Sequence, residues 1–206
     1  MADGSMQKTS NIQNICVYCG SGPGLNRAYA EAARALGRIL AESRIGLVYG
    51  GGNLGLMGEI ARSVLHHGGH VTGIIPGFLS EREHMLIEAQ ELIVVEDMHQ
   101  RKQLMFVKSD AFVALPGGLG TLEEFVEQLT WSQLGRHSKP IVLVNIQDFW
   151  DPLLTLFQRM RGEGFIRAGL ELKLELVGRV EEIIPAIARV LDPSEAQADA
   201  EVTAKF

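Results

Sequence analysis

The sequence predicts a single α/β domain, a parallel sheet doubly wound with helices on both faces. Three observations carry the prediction. Short, β-branched apolar runs alternate with helix-period stretches, in strand–helix order. The runs are apolar throughout rather than at every second position, as strands covered on both faces require. Glycine clusters follow three of these runs, where a chain leaving a strand must turn tightly.

The elements follow in order. Strands are expected over residues 15–19, 47–49, 71–75, 92–95, 111–115 and 141–145. The first helix covers 28–40, with Ala28, Ala32, Leu36, Ile39 and Leu40 on one stripe. Further helices are expected over 56–65, 98–107, 122–134, 149–160 and 180–191. Residues 12–191 thus form the domain, flanked by tails expected to be disordered at 1–11 and 192–206. In such a sheet the loops after the strands share one edge, where ligands bind.

Composition narrows the function. The 206 residues include 19 Lys and Arg against 25 Asp and Glu, a net charge of −6 without a basic block. A nucleic-acid polymer is a poor partner, because such binding rests on many phosphate neutralisations. No apolar stretch is long enough for a membrane helix, and residues 1–11 lack the apolar core of a signal peptide. The chain reads as cytoplasmic. Cys16 and Cys19 have redox-motif spacing, but on a strand that spacing sends them to opposite faces as small buried hydrophobes. His66, His67 and His70 close a helix beside Gly68 and Gly69, which suits a helix C-terminus better than a metal; no metal and no cofactor are expected.

The glycine clusters are the informative segments. They run from Gly20 to Gly24 with Ser21 inside, from Gly50 through Gly51 and Gly52 to Gly58, and from Gly117 through Gly118 to Gly120 and Thr121. Successive backbone N–H groups in such turns, with the following helix terminus, suit a phosphate. Gly50, Gly52 and Gly55 match the dinucleotide spacing formally, but the next strand ends Gly73-Ile74-Ile75-Pro76 without the carboxylate that holds a ribose. A nicotinamide dehydrogenase is therefore disfavoured, and no ATP-type P-loop is present.

Thr121 and Glu124 open a helix in capping-box spacing. A carboxylate beside an anion site is otherwise an odd choice unless it serves another part of the ligand, such as ribose hydroxyls. Arg101 and Lys102 diverge by about 100° around their helix, and are read either as a solvated basic face or as reaching the sheet edge. Arginine offers a planar fork suited to phosphate.

Together, Tyr49-Gly50-Gly51-Gly52 with Gly55-Leu56-Met57-Gly58, Met98-His99-Gln100-Arg101-Lys102 and Pro116-Gly117-Gly118-Leu119-Gly120-Thr121-Leu122-Glu123-Glu124 resemble the LOG ("lonely guy") family, the cytokinin riboside 5′-monophosphate phosphoribohydrolases. The last segment matches the family's P-G-G-x-G-T-x-x-E pattern in full. The resemblance implies a Rossmann-like fold, a homodimer with active sites near its interface, and release of free base and ribose 5-phosphate from a cytokinin nucleotide or AMP. It implies Arg101 and Glu124 as the catalytic pair. It places Ser21, Gly51, Gly52, Glu83, Lys102, Gly117, Gly118, Gly120, Thr121 and Thr130 against the nucleotide. The family's first turn often reads Cys-Gly-Ser-Ser, whereas Gly22 stands at the second serine here. A non-catalytic nucleotide or molybdenum-cofactor carrier is the alternative on the same phosphate edge. Met85, Met98, Met105 and Leu119 are candidate apolar liners for a base substituent, or core residues.

Overall fold

The structure, a computed structural model, describes residues 12–80, 85–86, 88–167, 170 and 172–192. Asp192 apart, both expected tails lie outside the described residues.

The six expected strands form as β1 (Asn14–Tyr18), β2 (Gly46–Tyr49), β3 (Val71–Pro76), β4 (Glu91–Val95), β5 (Ala111–Ala114) and β6 (Ile141–Val144). A seventh, β7 (Glu175–Val177), was not expected. Its three residues, Glu-Leu-Val, are too short for a period, and β7 lies at the sheet margin beside β6 alone. All six pairings are parallel, in the order β4-β3-β2-β1-β5-β6-β7. The chain winds outward from β1 to β4, then returns to place β5 on the other side of β1. Loops leaving β1 and β5 therefore part at this switch point and open a crevice between them.

Side-chain alternation along β1 divides the core in two. Ile15, Val17 and Cys19 face one cluster, while Cys16 and Tyr18 face the other. The first cluster is roofed by α1 (Arg27–Glu42), α2 (Gly55–His66) and α7 (Ile183–Leu191). The second is roofed by α4 (Met98–Val107), α5 (Leu119–Gln133) and α6 (Asp151–Gly162). The two cysteines are free, buried and on opposite faces, as the strand spacing requires.

Several helix ends shift by a residue or two, and three departures from expectation matter for the fold. The last helix divides into a 310 turn (Val180–Glu182) and α7, whose Pro185 has no N–H and fits only within a first turn. Helix α6 starts at Asp151, after a turn in which Gln147 and Asp148 adopt positive φ. Helix α5 starts three residues early, at Leu119. A four-residue helix, α3 (Gly77–Ser80), follows β3 directly.

Helices α1 and α2 pack closely because Gly37 has no side chain. A Cβ there would lie 2.6 Å from the Ile60 carbonyl oxygen and 2.7 Å from the Ser63 Cβ. Helix propensity favours alanine over glycine by about 1 kcal/mol, yet overpacking costs about 1–3 kcal/mol. Gly37→Ala is accordingly expected to lower the urea midpoint. A raised midpoint would show that the two helices simply move apart.

Candidate active site

The loops after β1, β2 and β5 meet at the carboxyl edge of the sheet around a cleft of about 290 Å³. Its walls include Tyr18, Cys19, Ser21, Gly50, Met57, Leu79, Met98, Arg101, Leu119, Thr121, Glu123 and Glu124. A larger cleft, of about 520 Å³, lies between the outer surfaces of α1 and α2. Its arginines are half exposed and ion-paired to Glu59 and Glu42. The strand-edge cleft holds the buried charges, and it is the candidate site.

Backbone hydrogen bonds join the loops. Gly20 N–H donates to the Pro116 carbonyl at 3.1 Å, and the Gly20 carbonyl accepts from Leu56 N–H at 3.0 Å. Gly55, at φ +55°, lies so close to the Ser21 carbonyl that any Cβ would overlap it. A Cβ on Gly50 would likewise overlap the Arg101 guanidinium. The glycines thus let backbone approach backbone, and let a large cation sit against the β2 turn.

The start of α5 corrects the capping-box reading. Gly118 is the N-cap and no side chain caps the helix. Thr121 is therefore a third-position residue, and Glu124 lies one turn further in. Gly118 and Gly120 are exposed, and a Cβ on either would meet nothing within 4 Å. The first-turn N–H groups face a glycine-lined opening with the positive end of the helix behind them, an arrangement suited to an anion.

Helix α4 is fixed at its start by Asp97, whose carboxylate accepts from His99 N–H at 2.8 Å and Gln100 N–H at 2.9 Å. One turn on, Arg101 enters the cleft and Lys102 turns away, as adjacent positions on a helix must. Lys102 Nζ donates to Glu123 at 2.6 Å and Glu127 at 2.9 Å, bridging α4 to α5. Burial acts to lower the Lys102 ammonium, but the bonds to Glu123 and Glu127 outweigh it and raise the pKa.

Arg101 and Glu124 are 6% and 8% exposed, with Arg101 Nη2 3.6 Å from Glu124 Oε1. That is an ion pair, too long for a good hydrogen bond. Arg101 Nη1 lies 3.9 Å from the Met98 sulfur, and among the described residues Nε is buried with no partner. A guanidinium has five donors, and leaving them unmet in the interior is costly. Such a group is poised for an oxyanion. Beneath the pair, burial holds the Tyr18 phenol well above its usual range, reinforced by the negative charge of Glu124. Burial likewise raises the Cys16 and Cys19 thiols, with Glu124 adding to both. The cleft floor stays protonated and uncharged.

Of the residues singled out in the sequence, Ser21, Arg101, Gly118, Gly120, Thr121 and Glu124 line the cleft together. Gly117 lies directly under the Thr121 hydroxyl, which a Cβ would strike. Gly51 and Gly52 stand behind the wall: Gly51 packs on Ile74 and Ile75, and Gly52 pairs with Met85. Lys102 is committed to the α4–α5 bridge. Thr130 is exposed, its hydroxyl bonded to the Val126 carbonyl within α5. Glu83 lies outside the described residues. Met98 and Leu119 line the cleft, whereas Met105 belongs to the core. Sequence reasoning missed Tyr18, Met57, Leu79 and Glu123; Tyr18 was accessible, as the last strand residue before the first glycine turn.

A family model described as possible lysine decarboxylase matches residues 57–187. The chain is 50% identical over 162 residues to the cytokinin riboside 5′-monophosphate phosphoribohydrolase LOG7 of Arabidopsis thaliana, a match spanning 78% of this chain and 75% of that one. The chain belongs to the LOG family. LOG3 of Arabidopsis thaliana is 46% identical over 193 residues, 90% of this chain and 89% of its own. Solved structures share the LOG-family fold. The molybdenum cofactor carrier protein of Chlamydomonas reinhardtii superposes with a TM-score of 0.62 at 24% identity, covering 87% of this chain and 98% of that one. The molybdenum cofactor binding protein of Rippkaea orientalis gives 0.65 at 24%, covering 87% and 97%. At that identity these two speak for the fold alone. The decarboxylase label fits this LOG-family cleft poorly. Pyridoxal chemistry needs a lysine at the reacting centre, and no described lysine lines it.

The Asp97 cap aims Arg101. Asp97→Ala is expected to cost about 1 kcal/mol of stability, read as a lowered urea midpoint. An unchanged midpoint would mean that α4 is held in place without its cap.

Proposed function

We propose that this LOG-family chain hydrolyses the C1′–N9 bond of adenine-type nucleoside 5′-monophosphates, cytokinin riboside 5′-monophosphate and also AMP, giving free base and ribose 5-phosphate. The observation that carries the proposal is the buried Arg101–Glu124 pair beside the uncapped start of α5. The relatives named above are called cytokinin riboside 5′-monophosphate phosphoribohydrolases, which supports the first of these substrates.

In the proposed reaction, main-chain N–H groups at residues 118–121 take the phosphate, with Ser21 and Gly50 on the opposite wall. The glycosidic bond breaks with its electron pair passing to N9, which gains a proton. Water adds its oxygen to C1′ and loses a proton. Positive charge grows on the ribose as the base departs, and the Glu124 carboxylate faces it or orients the water. Arg101 supplies its unmet donors to the phosphate or to the departing base. No metal or organic cofactor enters this scheme. The apolar side chains of Met98, Leu119, Met57 and Leu79 suit the base and its substituent.

We further infer that the protein acts as a homodimer in the cytoplasm. Lys102 and Thr130, which the family resemblance brings to the nucleotide, lie on α4 and α5 outside the cleft, near the exposed Val107 and Leu134. A second copy seated on this face would bring such residues to a neighbouring site. Among the described residues, no helix is long and apolar enough to cross a membrane.

The test is release of free base from AMP and from N6-prenylated AMP, with the matching nucleosides as controls. Cleavage is expected for the nucleotides. Arg101→Ala and the isosteric Glu124→Gln are each expected to reduce it by about 100- to 1,000-fold, with the circular dichroism spectrum unchanged. Tight nucleotide binding without base release would instead establish a carrier.

A further inference from the structure

On the outer face of α2, Arg62 holds the glycine turn that forms one wall of the cleft. Its Nη1 donates to the Asn53 carbonyl at 2.8 Å and to the Asn53 side-chain oxygen at 2.5 Å. Its Nη2 donates to Glu59 at 3.0 Å, and Glu59 in turn accepts from Arg34 of α1 at 2.7 Å. Hydrogen bonds from Arg34, the larger contributor, and from Arg62 lower the Glu59 pKa, against a smaller opposing effect of burial. The carboxylate between the two arginines is therefore anionic at neutral pH.

Asn53 sits at the middle of the turn between β2 and α2. Leu54, the N-cap of α2, provides no side-chain cap, so the turn depends on contacts from elsewhere. Gly58 makes room for the hold: a Cβ there would overlap the Asn53 carbonyl and lie 2.6 Å from Arg62 Nη1. At one end of the same turn Gly50 packs against the Arg101 guanidinium, and at the other Gly55 packs against the Ser21 carbonyl. A shift of the turn therefore moves two parts of the cleft at once.

We propose that Arg62 is a positioning residue for the reaction: through Asn53 it fixes the β2–α2 turn, and so the places of Arg101 and Ser21. Arg62 touches no part of the cleft itself. A planar fork that bonds Asn53 through Nη1 while Glu59 anchors Nη2 fixes the direction of the Asn53 bonds, which the single ammonium of a lysine does not. The functional part of this inference rests on the hydrolase reading above.

Four single variants test it, in the full chain: Arg62→Ala, Arg62→Lys, Asn53→Ala and Arg34→Ala. Amide hydrogen exchange over residues 50–56, without nucleotide, reads the hold directly. Base release from N6-prenylated AMP reads its consequence. Arg62→Ala and Asn53→Ala are expected to speed exchange in the turn, to raise KM and to lower kcat, together reducing kcat/KM by more than about tenfold. Arg62→Lys, keeping charge but not the fork, is expected to fall between Arg62→Ala and the unaltered chain. Arg34→Ala removes a partner of Glu59 but leaves Asn53 held, so KM is expected to stay within about twofold. Unchanged exchange and KM in Arg62→Ala overturn the assignment. So does an equal effect of Arg34→Ala, which would make the network a source of general stability only. If the unaltered chain releases no base, the hydrolase reading fails, while the exchange data still decide whether Arg62 holds the turn.

Discussion

A guanidinium and a carboxylate, both almost fully buried and 3.6 Å apart, occupy the point where the sheet reverses its winding. Burying two charges is expensive, and their attraction returns that cost only when the remaining donors and acceptors are met. Here they are not all met: Arg101 Nε is without a partner among the described residues. A packed apolar pair would serve stability better. The surrounding structure is organised to keep the charges in place: Asp97 fixes the helix that carries Arg101, Gly50 gives the guanidinium its space, and α5 carries Glu124 on its inner face.

The sheet topology explains why the pair lies there. Because β5 returns beside β1, the turns leaving these strands separate, and Gly20 N–H bonds to the Pro116 carbonyl where they part. The start of α5 then opens toward the same gap. The molybdenum cofactor carrier and binding proteins named above share this fold at 24% identity. The fold supplies an anion-binding edge, and the acidic and basic side chains placed on it determine what chemistry follows.

Much of this was legible in the sequence because it rests on local signals. Continuous apolar runs marked the six longer strands and implied cover on both sheet faces, where Ile15 and Val17 meet one core and Cys16 and Tyr18 the other. What escaped detection rests on tertiary contacts. Three residues of β7 acquire strand form by pairing with β6. The capping-box spacing of Thr121 and Glu124 is real in sequence, but the helix starts at Leu119 and leaves that box inside it. Lys102 resembled Arg101 as a candidate, and only the nearness of Glu123 and Glu127, more than twenty positions away, separates their roles. The Arg62–Asn53 contact has no short-range signature at all.

In the proposed reaction the main chain at the start of α5 holds the 5′ phosphate, with the ribose toward Glu124. A crystal structure with ribose 5-phosphate bound tests it most directly. Phosphate oxygens are expected within hydrogen-bonding distance of N–H groups at residues 118–121, and C1′ against the Glu124 carboxylate. A phosphate seated instead among Arg34, Arg38 and Arg62, or a sugar turned away from Glu124, would contradict it.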